Sequence, residues 1–438
     1  MVLRTTCLVK KGGIKVKINR TRLQEHFEII SQYGKIGETG LCRPTLSSIE
    51  KETFSVVTKW MEEAGMSVRI DNFGNLIGRL EGKNSNAPVL MIGSHLDSQP
   101  YGGRFDGTSG VLAGVEVAMT LTENGIIPEV PIEVISFCDE ESWRFKKGVF
   151  GSRGIVGKHE PEDLERTDKD GITRREALID FGCDPDKLDE SVYPAGAIGA
   201  FLELHIEQGP ILDVQDKPVG IVTGIAGPLW LSVKIKGFAG HAGSVPMDLR
   251  KDALVGAARM IGEINSVVKQ KTGIPTVVTV GSLKVFPDSP NIIPETVDFT
   301  IDLRDVDLSR RNQFEQQIRT IVRNIATQHN LTAEIQEEMN LEPVDCAEWI
   351  QELILEESEK MELDCPKMVS GPFHDAVVMA DACDIAMIFV RCKDGISHNP
   401  AEFASYDDLA KGTELLFNTA LRVSSKLNPQ VLSQYSTN

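Results

Sequence analysis

Apolar positions near the start of the chain recur at helical spacing: Leu23, Phe27 and Ile30, then Ile49, Val56, Trp60 and Ala64 in a stretch closed by Gly65. Side chains three or four residues apart share one helix face, so two amphipathic helices are predicted, the second ending at Gly65. The pattern then changes. Short aliphatic and β-branched runs, SVRI (67–70), APVLMIG (87–93), IEVISF (132–137) and AFLELHI (200–206), flank a helical segment, SGVLAGVEVAMTLTEN (109–124), closed by Gly125. Alternation of strands with helices predicts an α/β sheet covered by helices on both faces.

A different pattern follows. LWLSVKIK (229–236) alternates apolar and polar residues, as a strand with one dry face does. Leu254, Ala257, Ile261, Ile264 and Val268 mark an amphipathic helix, and PTVVTVGSL and TVDFTIDLR read as two strands. Phe314, Ile318, Ile321 and Ile325 share a second helix face, and LTAEIQ (331–336) closes the module as a strand. This βαββαβ order is that of a ferredoxin-like layer. The earlier pattern then resumes with a helix over 346–361, the strand IAMIFV (385–390) and a helix from about Tyr406 to Lys426. The expected organisation is therefore one α/β domain in two segments, 1–224 and 339–438, interrupted by an inserted module at 225–338.

A chain of 438 residues has material for two or three domains and a large core. Hydrophobic residues are 41% and charged residues 25%, ordinary for a globular protein. The 46 Lys and Arg against 64 Asp and Glu leave a formal charge of -18, which repels phosphate backbones and anionic lipid headgroups, so neither nucleic acid nor a membrane is an expected partner. No apolar run approaches the ~18 residues that span a bilayer. The basic start has its apolar stretch cut by Thr5, Thr6, Lys10 and Lys11, too short for a secretory signal, and is expected to be a disordered or strand-like leader. The eight cysteines are scattered without a CxxC pair, which argues against a zinc knuckle or redox motif and for free thiols in the cytoplasm.

Histidine is scarce, eight in the whole chain, so its placement carries information. His95 closes one predicted strand in GSHLD, His205 closes another in ELHIEQG, and His398 follows a third in ISHNPAEF. Asp97, Asp106 in YGGRFDGTSG, and the pair Glu140–Glu141 fall at equivalent places. Singly, each has a plainer role: a polar loop residue, a helix N-cap, a solvated acidic pair. Together, imidazoles and carboxylates gathered beyond the carboxyl ends of four strands make a divalent-metal site. In HxD, moreover, a carboxylate that accepts one ring N–H turns the other ring nitrogen toward a metal.

The segments GSHLDSQPYGGRFDGTSGVLAGVE, CDEESWRF, ELHIEQGP, GHAGSVPM, DLRD and SHNPAEF together resemble amidohydrolases of the hydantoinase/carbamoylase type. These belong to the zinc-dependent M20 peptidase-like superfamily and include N-carbamoyl-L-amino-acid, allantoate and ureidoglycolate amidohydrolases and one class of β-ureidopropionase. The resemblance runs from about residue 20 to 425. It implies two metal ions bridged by Asp106, with His95 and His205 on one and Glu141 and His398 on the other, Glu140 as general base and Asp97 as the orienter of His95. His205 stands where related peptidases tend to have an acidic residue, which favours the carbamoylase branch.

The same resemblance makes the inserted module a lid and dimerisation domain, so a homodimer is expected. Within it His241 is implied as an oxyanion donor, Asn291 as a substrate contact and Arg304 as a bidentate clamp on a substrate carboxylate. An ion pair of Arg304 with Asp302 or Asp305 is the plainer alternative. Gln208 is implied as a carbamoyl or ureido contact and His374 as a pocket residue. Two departures bear on specificity: Ser142–Trp143 replaces a small residue after the acidic pair, and Pro372 and Phe373 add bulk beside His374.

The function so implied is hydrolysis of the C–N bond of a carbamoyl or ureido group on a small carboxylate-bearing molecule, foremost an N-carbamoyl-L-amino acid. Its rivals are allantoate or ureidoglycolate hydrolysis, β-ureidopropionase, a peptidase or aminoacylase, and a metal-dead binding protein. The ligand set accepts Zn, Mn, Co or Ni.

Overall fold

The first apolar stripe forms the helix Arg20–Ile30, with Leu23, Phe27 and Ile30 buried. Asn19 caps it, its side chain accepting the Arg22 N–H at 3.1 Å. The computed structural model describes residues 16–428, so residues 1–15 of the expected leader lie outside the described residues. The chain divides into two compact units. One comprises the described residues up to Ile221, Glu348–Pro366 and those from Val378 onward; the other comprises Val222–Ala347 and Lys367–Val377. Among the described residues no helix is long and apolar enough to cross a membrane, and seven cysteines are free thiols.

The first unit is a mixed sheet with helices. Its strands lie in the order Asp384–Val390, Ile198–Ile206, Val89–His95, Ile132–Phe137, Leu76–Leu80 and Ser67–Ile70. The first four are mutually parallel, and the last two add an antiparallel edge. Parallel strands sandwiched by helices read as unbroken apolar runs, and Val89–His95 and Ile132–Phe137 are buried at every position. The helix Thr108–Glu123 is buried continuously from Thr108 to Leu121, a core helix apolar on nearly all sides. Its one buried acid, Glu116, is paired with Arg22 at 2.7 Å.

The helix Ser48–Glu63 departs from the predicted face. Phe54, Val57, Trp60 and Met61 are buried, whereas Ile49 and Val56 are half-buried. Glu50 lies on the buried face, its carboxylate accepting the Leu46 N–H at 2.6 Å. Elements without a counterpart in the predicted pattern include the strands Leu76–Leu80 and Val219–Ile225 and the short helices Phe150–Ile155 and Arg174–Phe181.

In the second unit the strands Val277–Thr279, Thr296–Asp305, Gly227–Lys236 and Thr332–Asn340 form an antiparallel sheet in that order, and Leu283–Phe286 also pairs with Thr296–Asp305. PTVVTVGSL is thus two strands rather than one, broken at Val280–Ser282. The strand alternation sorts cleanly by face. Leu229, Leu231, Val233 and Ile235 interleave with Val297, Phe299, Ile301 and Leu303 beneath the helices Ala253–Lys269 and Leu308–Gln328. The opposite face is polar, with Lys236 2.9 Å from Glu334 and Lys234 3.7 Å from Asp298.

Candidate metal centre

Parallel strands deliver their carboxyl ends to one rim, and here four of them do so. His95 is the last residue of Val89–His95, His205 the penultimate residue of Ile198–Ile206, Glu140 and Glu141 follow Ile132–Phe137, and His398 follows Asp384–Val390. Asp106 reaches the same place from the loop before Thr108–Glu123. That helix starts at Gly107, at φ +61°, without a side-chain cap. A Cβ on Gly107 would lie 2.4 Å from the His95 ring, so only glycine lets the Asp106 loop pass this close to the imidazole.

Asp106 is the centre of the cluster. Its Oδ1 is 3.0 Å from His205 Nε2 and 3.6 Å from His95 Nε2; its Oδ2 is 3.3 Å from His398 Nε2. His398 Nε2 also lies 3.6 Å from Glu141 Oε2. Two triads result, His95–Asp106–His205 and Asp106–Glu141–His398, each with ligand atoms within 4.8 Å of one another. All five predicted ligands are brought together. All but His398 are buried.

The residues around the triads fix which atoms face inward. His95 Nδ1 donates to the Asp97 carbonyl at 3.0 Å and His205 Nδ1 to the Ile206 carbonyl at 2.8 Å. A carbonyl only accepts, so each Nδ1 carries a proton and each Nε2 is the nitrogen that faces the cluster, as metal-ligating histidines require. The Gly107 N–H is directed at His205 Nε2 at 3.2 Å.

Asp97 serves differently from the simple HxD expectation. Its backbone carbonyl is nearest the His95 ring, with Oδ1 farther away at 3.5 Å. The carboxylate accepts the backbone N–H groups of Glu140 and Glu141 at 3.4 and 3.2 Å and so ties the His95 strand end to the acidic pair. Glu140 stands beside the triads, Oε2 3.8 Å from His95 Nε2.

The electrostatics match a cation site. Burial pushes the Asp106 carboxyl up, but hydrogen bonds to His205, His398 and His95 outweigh it and hold the group well below the usual carboxylate range. Glu141 is pushed up to about 7, first by burial and then by the charge of Asp106. Hydrogen bonding to Asp106 raises His398 to about 9. Buried carboxylates that repel each other across a ring of inward-facing imidazole nitrogens form an oxygen-and-nitrogen donor set that suits a first-row divalent ion.

Several nearby groups were not anticipated. Gln99 Nε2 donates to Glu141 Oε2 at 2.7 Å and its backbone N–H to Oε1 at 3.2 Å, holding that carboxylate by both oxygens. Glu402 accepts the backbone N–H groups of Phe105 and Asp106. Neither had a signal beyond its place inside a quoted motif. Gln208, expected to contact substrate, donates to Asp106 Oδ2 at 2.7 Å from a backbone at φ +56°. The bulky Trp143 is turned aside, its indole N–H donating to the Ser98 carbonyl at 2.6 Å.

The remaining predicted residues belong to the second unit. His241 lies on a short strand pair opposite Ile292, and Asn291 just precedes that pair, its carbonyl accepting the Ala242 N–H at 2.9 Å; both residues are exposed. Arg304 donates to Asp302 from Nε at 3.0 Å and from Nη2 at 2.9 Å, and from Nη1 to the Gly371 carbonyl at 3.0 Å. The ion-pair alternative is therefore present, with Asp302 as the partner. Asp305 pairs with Arg310 instead. His374 is buried, with Nε2 2.8 Å from Ser370 Oγ.

Residues 91–422 match the family model described as peptidase family M20/M25/M40. The chain is 45% identical over 409 residues to an N-carbamoyl-L-amino-acid amidohydrolase of Pseudomonas sp. (strain NS671), covering 93% of this chain and 99% of the relative. It is 33% identical to an allantoate deiminase of Arabidopsis thaliana, over 92% of this chain and 83% of the relative. Among solved structures, an amidase of the hydantoinase/carbamoylase family from Burkholderia multivorans superposes with a TM-score of 0.87 at 34% identity, over 94% of this chain and 99% of that one.

Proposed function

This chain belongs to peptidase family M20/M25/M40, and on that premise we propose that it hydrolyses the C–N bond of N-carbamoyl-L-amino acids, giving the L-amino acid, carbon dioxide and ammonia. The single observation carrying this reading is the pair of triads sharing Asp106, with Glu140 beside them and outside both. The higher identity to a carbamoylase than to an allantoate deiminase sets the order of the substrate classes.

His95, Asp106 and His205 would hold one divalent ion and Asp106, Glu141 and His398 a second, each Zn, Mn, Co or Ni. When bound, such ions lower the pKa of water and polarise a carbonyl. Glu140 takes the proton of the attacking water and returns it to the amino-acid nitrogen as the bond from that nitrogen to the ureido carbon breaks; the released carbamic acid separates into carbon dioxide and ammonia. Asp97 keeps Glu140 in reach by accepting its backbone N–H.

We read residues 225–338 as a ferredoxin-like lid and dimerisation module inserted between catalytic segments 1–224 and 339–438. His241, Asn291, Arg304, Gln208 and His374 recognise the substrate, with Arg304 leaving Asp302 for the substrate carboxylate. The free thiols support a reducing compartment, the cytoplasm. Support for a homodimer comes from large apolar side chains left exposed in the second unit, among them Phe238, Met247 and Phe286. Sedimentation is expected to give a dimer at micromolar concentration; a fully active monomer across that range contradicts it.

The substrate assignment is tested by ammonia release from N-carbamoyl-L-amino acids, N-carbamoyl-β-alanine, allantoate and ureidoglycolate, using chelated protein with metal added back. Metal-restored turnover fastest on an N-carbamoyl-L-amino acid is expected. Faster turnover of allantoate or ureidoglycolate reverses the assignment, and full activity after complete chelation removes the metal from the reading.

A further inference from the structure

We propose that Glu402 is a positioning residue that locks the Asp106 loop to the His398 loop and thereby builds the second of the two ion sites; the inference rests on the two-ion reading above. Glu402 is the penultimate residue of the SHNPAEF segment and is only 2% exposed. Among the described residues no Lys or Arg forms an ion pair with it, and a carboxylate buried without a countercharge is costly unless other groups compensate. Its compensation comes entirely from the two loops that carry Asp106 and His398. Oε1 accepts the Phe105 and Asp106 backbone N–H groups at 2.9 and 3.0 Å, and Oε2 accepts the Ser397 hydroxyl at 2.9 Å.

Ser397 precedes His398 directly, and its Oγ lies 3.1 Å from Asp106 Oδ2. That hydroxyl has one proton to share between the carboxylates of Asp106 and Glu402, so the three groups form a single clamp. The Asp106 loop closes around the clamp: a Cβ on Gly103 would fall 2.1 Å from Glu402 Cδ, a contact only glycine avoids. The arrangement matters for one triad more than the other. His95 and His205 sit on buried parallel strands that need no such help, whereas His398 has a side chain 51% exposed and a backbone at φ +52°, on a loop nearly 300 residues from Asp106.

The test is stepwise Co²⁺ titration of metal-free protein, followed by absorbance and equilibrium dialysis, on the parent, Glu402→Ala, Glu402→Gln and His398→Ala. The parent should bind two ions and His398→Ala one. Glu402→Ala should bind the first ion as the parent does and the second about 10–100-fold more weakly, the usual effect of removing a group that orients a ligand. Glu402→Gln should restore parental affinity, because one amide oxygen still accepts both N–H groups and the amide NH₂ can donate to Ser397. A parent that binds one ion overturns the two-ion reading together with this inference. Two ions in the parent, one in His398→Ala, and unchanged affinities in Glu402→Ala overturn the inference alone, even if the metal-free variant melts at a lower temperature. Equal weakening of both ions in Glu402→Ala, or no rescue by Gln, overturns it as well. Should Glu402→Ala fail to fold, Ser397→Ala carries the decision: it removes only the hydroxyl link, and a second-ion affinity equal to the parent's overturns the clamp.

Discussion

Glu140→Gln should hydrolyse substrate about 10²–10⁴-fold more slowly than the parent while binding the same metal. The amide keeps the shape and most of the hydrogen bonding of the carboxyl group but cannot take a proton from water. Glu140 belongs to neither triad, its Oε2 3.8 Å from His95 Nε2, so its neutralisation leaves both triads whole. The backbone N–H that Asp97 accepts at 3.4 Å is untouched by the change.

The adjacent residue supplies the control. Glu141 Oε2 lies 3.6 Å from His398 Nε2 within the second triad, and Glu141→Gln replaces an anionic ligand oxygen by a neutral one. That variant should lose metal first and activity as a consequence, with partial recovery in excess metal. The two variants therefore differ in what added metal does: turnover of Glu141→Gln rises, turnover of Glu140→Gln does not. A metal-saturated Glu140→Gln with near-parental rate on a good substrate ends the general-base assignment, even with both ions in place. If neither carboxyl group mattered to the chemistry, both variants would keep the parental rate and metal content.

The gathering of the two triads was legible in the sequence because three signals coincide there: a rare residue type, the end of an apolar run, and a carboxylate at the matching place in the next loop. His95, His205 and His398 each satisfy the first two, and the sheet explains why they meet, since parallel strands must end on one rim. The alternation in LWLSVKIK was equally readable, because one face of that strand is a dry core and the other carries paired charges. What stayed hidden has physical causes too. Leu76–Leu80 is interrupted by Gly78 and Arg79, so its apolar run is too short to stand out. Arg174–Phe181 has a capping box of Thr173 and Glu176 and a closing Gly182, but its fully buried Arg174 breaks the apolar stripe. Gln99 and Glu402 act through backbone N–H groups and neighbouring carboxylates, contacts that leave no spacing pattern along the chain.

Asp106→Ala should bind neither ion tightly and should have activity reduced to background, because the two carboxylate oxygens face different triads. Oδ1 looks to His205 and His95 at 3.0 and 3.6 Å, and Oδ2 to His398 at 3.3 Å. No other carboxylate among the described residues is common to both triads. Loss of any other ligand leaves one triad complete; loss of Asp106 leaves His95 with His205 and Glu141 with His398, two donors for each ion where three are needed to hold it firmly. The measurement is elemental analysis of protein shown by circular dichroism to be folded, beside His398→Ala as the single-site comparison. About two ions in the parent, one in His398→Ala and none in Asp106→Ala is the pattern of a bridge. Two tightly held ions in folded Asp106→Ala mean that Asp106 bridges nothing, and that its position among three imidazoles serves the packing of the Gly107 turn alone.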